Sequence, residues 1–156
     1  MIEFVRPTLR DIPAMQRLVA KEVEEGVILR RSDDEVATNI RSYHLARVDG
    51  RLAGYGALHI HSPRMAEIRS LIVAPEYRGK HLGEGLVASA LEEARQLAVE
   101  EVLVLTYLPE FFRKLGFEEI AKESIPEQKI WTDCIKCIHF PNCHETSLVY
   151  RIDGSD

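Results

Sequence analysis

Leu71-Ile72-Val73-Ala74-Pro75-Glu76-Tyr77-Arg78-Gly79-Lys80-His81-Leu82-Gly83 is the stretch on which the reading of this sequence turns. Residues 67–73 have the apolar character of a strand, and Ala74-Pro75 ends it, since proline removes a donor and restricts the residue before it. The glycine-bearing residues 78–85 then open a long helix whose core side is Leu82, Leu86, Ala90, Leu91, Ala94 and Leu97. A strand, a turn and a helix N-terminus with Arg78, Gly79 and Lys80 is an arrangement that binds phosphate. Unpaired backbone N–H groups and the helix dipole face the anion, and glycine lets the backbone come close. The same residues alone would also serve as a solvated basic cap. Gly79 has no Gly-Lys-Ser/Thr five residues on, which excludes a Walker loop, and the strand comes mid-chain after a hairpin, which excludes a dinucleotide fingerprint.

Outward from this loop the chain punctuates itself clearly. Ile2-Glu3-Phe4-Val5-Arg6 alternates like a strand, and Thr8 with Asp11 forms a capping-box pattern ahead of Ile12, Met15, Leu18, Val19 and Val23 on one helical face. Ser32-Asp33-Asp34-Glu35 is a second capping-box pattern of the same kind, with Val36, Ile40 and Tyr43 on that helix's buried side. Residues 45–48 and 52–60 flank Asp49-Gly50, a dipeptide suited to the positive φ angles of a tight hairpin. Val102-Leu103-Val104-Leu105 reads as a strand buried on both faces, and residues 109–115 as a short helix ending at Gly116. Phe117 returns to extended structure, residues 124–144 are irregular and polar, and residues 146–152 close as a last strand. No linker or repeat divides the chain, so residues 1–156 are expected to be one domain with a Cys-rich segment at 129–144.

Composition narrows the classes further. The chain has 156 residues, enough for a core without metals or disulfides. Its apolar runs of four or five residues fall far short of the roughly 20 that span a bilayer. The N-terminal residues show no export leader, so a cytoplasmic address is expected. A net charge of -5 argues against nucleic acid and against anionic membrane surfaces as partners.

The residues quoted above resemble the GNAT superfamily of N-acetyltransferases. Arg78 to Gly83 is similar to that family's acetyl-CoA signature, Q/R-x-x-G-x-G/A, departing from it at His81, where the pattern has its middle glycine. A side chain there is expected to take negative φ and to lie along the pyrophosphate. Phe111-Phe112-Arg113-Lys114-Leu115-Gly116-Phe117 is similar to the F-Y-x-K-x-G-F stretch beside the cofactor's pantetheine arm. The resemblance covers nearly the whole chain. It implies an α/β (α+β) GNAT-like fold, with a central mixed, mostly antiparallel, splayed sheet flanked by helices, and acetyl-CoA as co-substrate. It places Leu71, Ile72 and Val73 on the strand whose amides take pantetheine and the thioester carbonyl, Arg78, Gly79, Lys80, His81, Leu82 and Gly83 at the pyrophosphate, and Phe112 beside pantetheine. Glu67 matches the general base of several members. The usual acid, a tyrosine, falls at Phe112, which has no proton to give; Thr106 and Tyr107 are the available hydroxyls.

Within the family, Arg6 to Ile12, Glu25 to Ser32, Ala66 to Ile68, and Val104 to Thr106 with Phe111-Phe112 and Gly116-Phe117 resemble the acetyltransferase domain of N-acetylglutamate synthases, and Lys129 to Cys134 with the following cysteines resemble the tail of their short form. This implies an amino-acid acceptor, most naturally glutamate, whose carboxylates call for arginine forks, and glutamine or another acidic amino acid would also fit. Arg31 and Lys129 are the candidates, with Arg64 a third that also reads as an ordinary surface charge. The alternatives are a GNAT enzyme acting on another small amine, a peptide N-terminus or a lysine, and a non-catalytic CoA-sensing module. A homodimer stays open. Cys134, Cys137 and Cys143, with His139 and His144, satisfy two readings equally, a structural zinc site and reduced, partly buried thiols. His44, His59 and His61 show no ligand spacing and are expected at ordinary surface or strand positions.

Overall fold

The computed structural model describes residues 1–121, 124–125 and 145–152. In chain order they form β1 (Ile2–Val5), α1 (Ile12–Glu24), α2 (Asp33–Thr38), β2 (Tyr43–Val48), β3 (Arg51–Ile60), β4 (Met65–Val73), α3 (Leu82–Leu97), β5 (Glu101–Thr106), α4 (Pro109–Lys114), β6 (Glu118–Glu119) and β7 (Thr146–Arg151). The strands make one seven-stranded sheet in the order β1-β2-β3-β4-β5-β7-β6. β4 pairs with β5 in parallel, whereas β1 with β2, β2 with β3, β5 with β7 and β6 with β7 are antiparallel. This is the expected mixed, mostly antiparallel sheet with helices. The β4–β5 ladder pairs Met65 with Glu101, Ala66 with Val102 and Glu67 with Leu103, and Glu67 is its last rung although β4 continues to Val73.

Local chemistry explains most boundaries. The Thr8 hydroxyl accepts from the Arg10 amide while the Asp11 carboxylate accepts from the Thr8 amide, so the expected capping box closes, over a single 3-10 turn (Leu9–Asp11) that leads into α1. The Ser32 hydroxyl accepts from the Glu35 amide at 3.1 Å to start α2. Asp49 and Gly50 adopt φ of 51° and 81°, the two positive values that a tight hairpin between β2 and β3 demands. Two expectations need correction. Tyr43 does not belong to the second helix, which stops at Thr38; a 3-10 turn (Ile40–Ser42) intervenes, and Tyr43 begins β2, buried all the same. Leu97 is 53% exposed rather than core, because it is the last residue of α3 and Ala98, at φ 62°, turns the chain away so that Val99 is buried instead.

Contacts group the chain into two compact units, Met1–Leu58 with Ser70–Ala90, and His59–Arg69 with Leu91–Asp156. In the first, Ile12, Met15, Val19, Val36, Tyr43, Leu45, Tyr55, Ala57 and Ile72 form one core cluster. Ala46, Ala53, Leu82 and Leu86 form another, with Leu71 and Val73 packed against it. Neighbouring residues Leu45 and Ala46, or Leu71 and Ile72, go to different clusters, as successive side chains of a strand must. In the second unit Val102, Leu103 and Val104 are buried on both faces of β5, as expected. Phe112 meets Phe111 and Phe117 edge to face, and Phe117 lies 5.3 Å from Tyr150.

Candidate active site

The loop quoted at the outset lies in the first unit. Pro75–Tyr77 makes one 3-10 turn, and the Gly85 amide donates to the His81 carbonyl, so His81 is the last residue before α3. The amides of the following first turn have no partner within the helix and point out of its N-terminus. Gly79 takes φ 86° with nothing within 4 Å of where a Cβ would stand, so glycine is required there by conformation rather than by space. His81 also takes a positive φ, 62°, which overturns the negative value expected of a side chain at that position. The turn into α3 imposes the left-handed backbone, and histidine is among the residues that tolerate it. Its ring is directed to Glu84 (Nδ1 to Oε1, 3.2 Å) and is largely exposed. Lys80 is exposed on the same loop and lies near enough to Asp49 to help hold that carboxylate below its usual range, after the dominant pull of the N-terminal amine. The loop thus offers positive charge, open backbone and helix-end amides, which fits a pyrophosphate.

β4 carries both groups of expected site residues, Glu67 toward its start and Leu71, Ile72 and Val73 at its end. Between them Ser70 stands at φ 58°, a left-handed residue inside a strand and the mark of a bulge. No sequence signal announced it. Close packing at the far end is severe: a Cβ on Gly54 of β3 would stand 2.6 Å from the Ile72 carbonyl oxygen.

Glu67 is 2% exposed. A buried carboxylate is costly unless it is hydrogen-bonded, and His61 supplies the bond, its Nε2 lying 2.9 Å from Glu67 Oε1 with the imidazole 3% exposed. His61 therefore does not occupy the ordinary position expected of it. His59, two residues earlier on β3, sets its ring edge-on to His61 at 4.8 Å. Thr106 is buried at the end of β5, and its hydroxyl accepts from the Leu108 amide at 2.9 Å, while Tyr107 is 39% exposed. Phe112 is buried in the aromatic cluster described above.

Of the expected carboxylate ligands, Arg31 lines a cleft of about 450 Å³ with Gln16, Val19, Ala20, Val23, Arg30, Ser32 and Asp33. Its guanidinium is mostly buried and ion-paired with Glu35 at 2.8 Å. Gln16 braces the same segment by donating to the Arg31 carbonyl and to Asp33. Arg64 is 76% exposed and faces Glu100 at 3.7 Å. Lys129 and the Cys134, Cys137, Cys143, His139 and His144 set lie outside the described residues. Among the described residues no group of three His, Cys, Asp or Glu side chains could hold a metal ion, and no helix is long and apolar enough to cross a membrane.

Known proteins resemble this chain in sequence and in fold. An uncharacterized N-acetyltransferase of Chlorobaculum tepidum is 38% identical over 141 residues, 90% of each chain. An amino-acid acetyltransferase of Vibrio cholerae is 32% identical over 124 residues, 78% of this chain but only 28% of that longer protein. Among solved structures, N-acetylglutamate synthase of Neisseria gonorrhoeae, complexed with coenzyme A and N-acetyl-glutamate, superposes with a TM-score of 0.86 over 97% of this chain and 35% of that one. A Mycobacterium tuberculosis protein in complex with CoA gives 0.83 over 96% and 98%. Both are 24% identical and speak for the fold. Residues 8–117 match the acetyltransferase (GNAT) family, so the chain belongs to that family and is an acetyl-CoA-dependent N-acetyltransferase.

Proposed function

We propose that this protein acetylates the α-amine of an amino acid, with L-glutamate as the acceptor and N-acetyl-L-glutamate, an intermediate for arginine biosynthesis, as the product. The observation that carries the reading is Glu67, a carboxylate buried on β4 and held by His61. An ammonium group must lose a proton before it can attack, and a carboxylate in a water-poor setting is suited to take it. The nitrogen then bonds to the thioester carbonyl carbon, and backbone amides of Leu71 and Val73 stabilise charge developing on the carbonyl oxygen. The C–S bond breaks with its electron pair on sulfur. The second proton leaving nitrogen goes to the thiolate, with Thr106 or Tyr107 as the hydroxyl that delivers it, and one net proton is released to water. No covalent enzyme intermediate is needed.

Arg78, Gly79, Lys80, His81, Leu82 and Gly83 are assigned to the pyrophosphate, and Phe112 to the flank of the pantetheine arm. The amino-acid acceptor is supported by the Vibrio cholerae relative and by Arg31, whose fork is fixed by Glu35 on the wall of a cleft large enough for a small molecule. Lys129 is assigned a carboxylate of the same substrate, and Arg64 a lesser part. We read residues 1–156 as one acetyltransferase domain. The test is a panel of amino acids, polyamines and peptides offered with acetyl-CoA, reading release of free thiol. Glutamate should give the highest kcat/KM; a faster polyamine or peptide would replace the acceptor, and equal background with all amines despite CoA binding would make the domain non-catalytic.

A further inference from the structure

Beyond the roles assigned above, we infer that His61 is a positioning residue for the base: its Nε2–H is donated to Glu67 Oε1 and fixes the carboxylate in the ionised, oriented form that accepts the substrate's proton. The inference rests on the reading of Glu67 as that base. An ionised carboxylate has only acceptors to offer, so a nitrogen 2.9 Å away must carry the proton. The side chains are 3% and 2% exposed, so the pair is screened from bulk water. Burial by itself favours the protonated carboxyl, which is useless as a base, and a hydrogen bond donated to the carboxylate favours the ionised form.

Three features make the pair rigid. Glu67 is the last rung of the β4–β5 ladder, so its backbone is anchored. His61 follows β3 at the turn into β4, where its amide and that of Ser62 both donate to the Met65 carbonyl. The ring of His59 then closes edge-on against His61 at an interplanar angle of 76°. A buried histidine kept only for packing would need no carboxylate partner, and a buried glutamate kept only for stability would be better replaced by an apolar residue.

The test is a kinetic double-mutant cycle on the full chain, with thermal melts of every variant. Glu67→Gln should lower kcat by about a hundredfold, the scale of one general base. His61→Leu should lower kcat at least tenfold with KM for acetyl-CoA unchanged, and His61→Gln, which keeps a donor, should restore most of that loss. In the Glu67→Gln background, His61→Leu should cost less than about twofold more, because its target is already gone. The inference is overturned if His61→Leu keeps wild-type kcat, or lowers it by its full factor in the Glu67→Gln background while Glu67→Gln alone is impaired; in both cases the base reading survives. Wild-type kcat in Glu67→Gln would remove the base reading and the role of His61 with it. Should His61→Leu lack a cooperative melt, His61→Asn, too short to reach Glu67, is taken through the same cycle with the same outcomes decisive.

Discussion

Replacing Gly54 by alanine tests the strand that carries the assigned thioester site. The added Cβ would stand 2.6 Å from the Ile72 carbonyl oxygen, 3.2 Å from Val73 Cα and 3.3 Å from Val73 Cγ2. Two of these three atoms are backbone, so no rotamer change relieves the contact, and β3 and β4 must part by several tenths of an ångström. Overpacking of this kind costs about 1–3 kcal/mol. The smaller freedom of alanine in the unfolded chain offsets about 0.4–1 kcal/mol of it. A net loss of about 1–2 kcal/mol lowers Tm by about 2–8 °C for a chain of this size. Gly56 provides the control. Its Cβ would meet Leu71 Cδ1 at 3.0 Å, the far end of a flexible side chain, and the nearest backbone atom lies 3.8 Å away. Gly56→Ala should therefore stay within about 0.5 kcal/mol of wild type. Urea and thermal unfolding of both variants, followed by acetyl-CoA titration, make the comparison. Gly54→Ala should also weaken acetyl-CoA binding, since the displaced segment is Ile72–Val73, whereas Gly56→Ala should not. A Gly54→Ala protein as stable as wild type, or a Gly56→Ala protein more damaged than Gly54→Ala, would refute the close approach on which this reasoning depends.

Two further outcomes follow from particular residues. Burial pushes the Tyr55 hydroxyl well above its ordinary value, with Tyr43 beside it adding to the shift and Arg31 opposing it. The folded protein therefore keeps a proton that the unfolded chain loses above about pH 10, so stability should fall by up to about 1.4 kcal/mol per pH unit beyond that point. Urea midpoints across this range should show the slope in wild type and a shallower one in Tyr55→Phe. Gly83→Val, in the first turn of α3, should weaken CoA binding at least tenfold by calorimetry; unchanged affinity would contradict the assignment of the loop to pyrophosphate.

Features set by neighbouring residues were legible in the sequence, and features set by a partner across space were not. Thr8 with Asp11, Ser32 with Glu35, and Asp49-Gly50 each act within four residues, so the local sequence announces them; the first box and the turn close as expected, while at Ser32 the hydroxyl caps the helix and the Glu35 carboxylate pairs with Arg31. The β5 strand was equally plain, because a core position between two strands leaves only apolar residues. Glu67 was legible by its place on the strand before the loop. Its partner was hidden, since the spacing of His61 along the chain resembles no ligand pattern. The backbone positions at Ser70 and His81 were hidden for another reason: positive φ without glycine is imposed by the fold against local preference. The backbone of the folded chain makes the pairing of His61 intelligible. Ser62 and Met65 close a reversal in which each amide donates to the other's carbonyl, and the His61 amide donates to the Met65 carbonyl as well, which brings His61 back beside the start of β4. A histidine and a glutamate on facing strands beside a reversal are then candidates for contact, whatever their separation in sequence. Register carries the information that spacing along a single strand omits, and at this site the residue it adds is the one that touches Glu67.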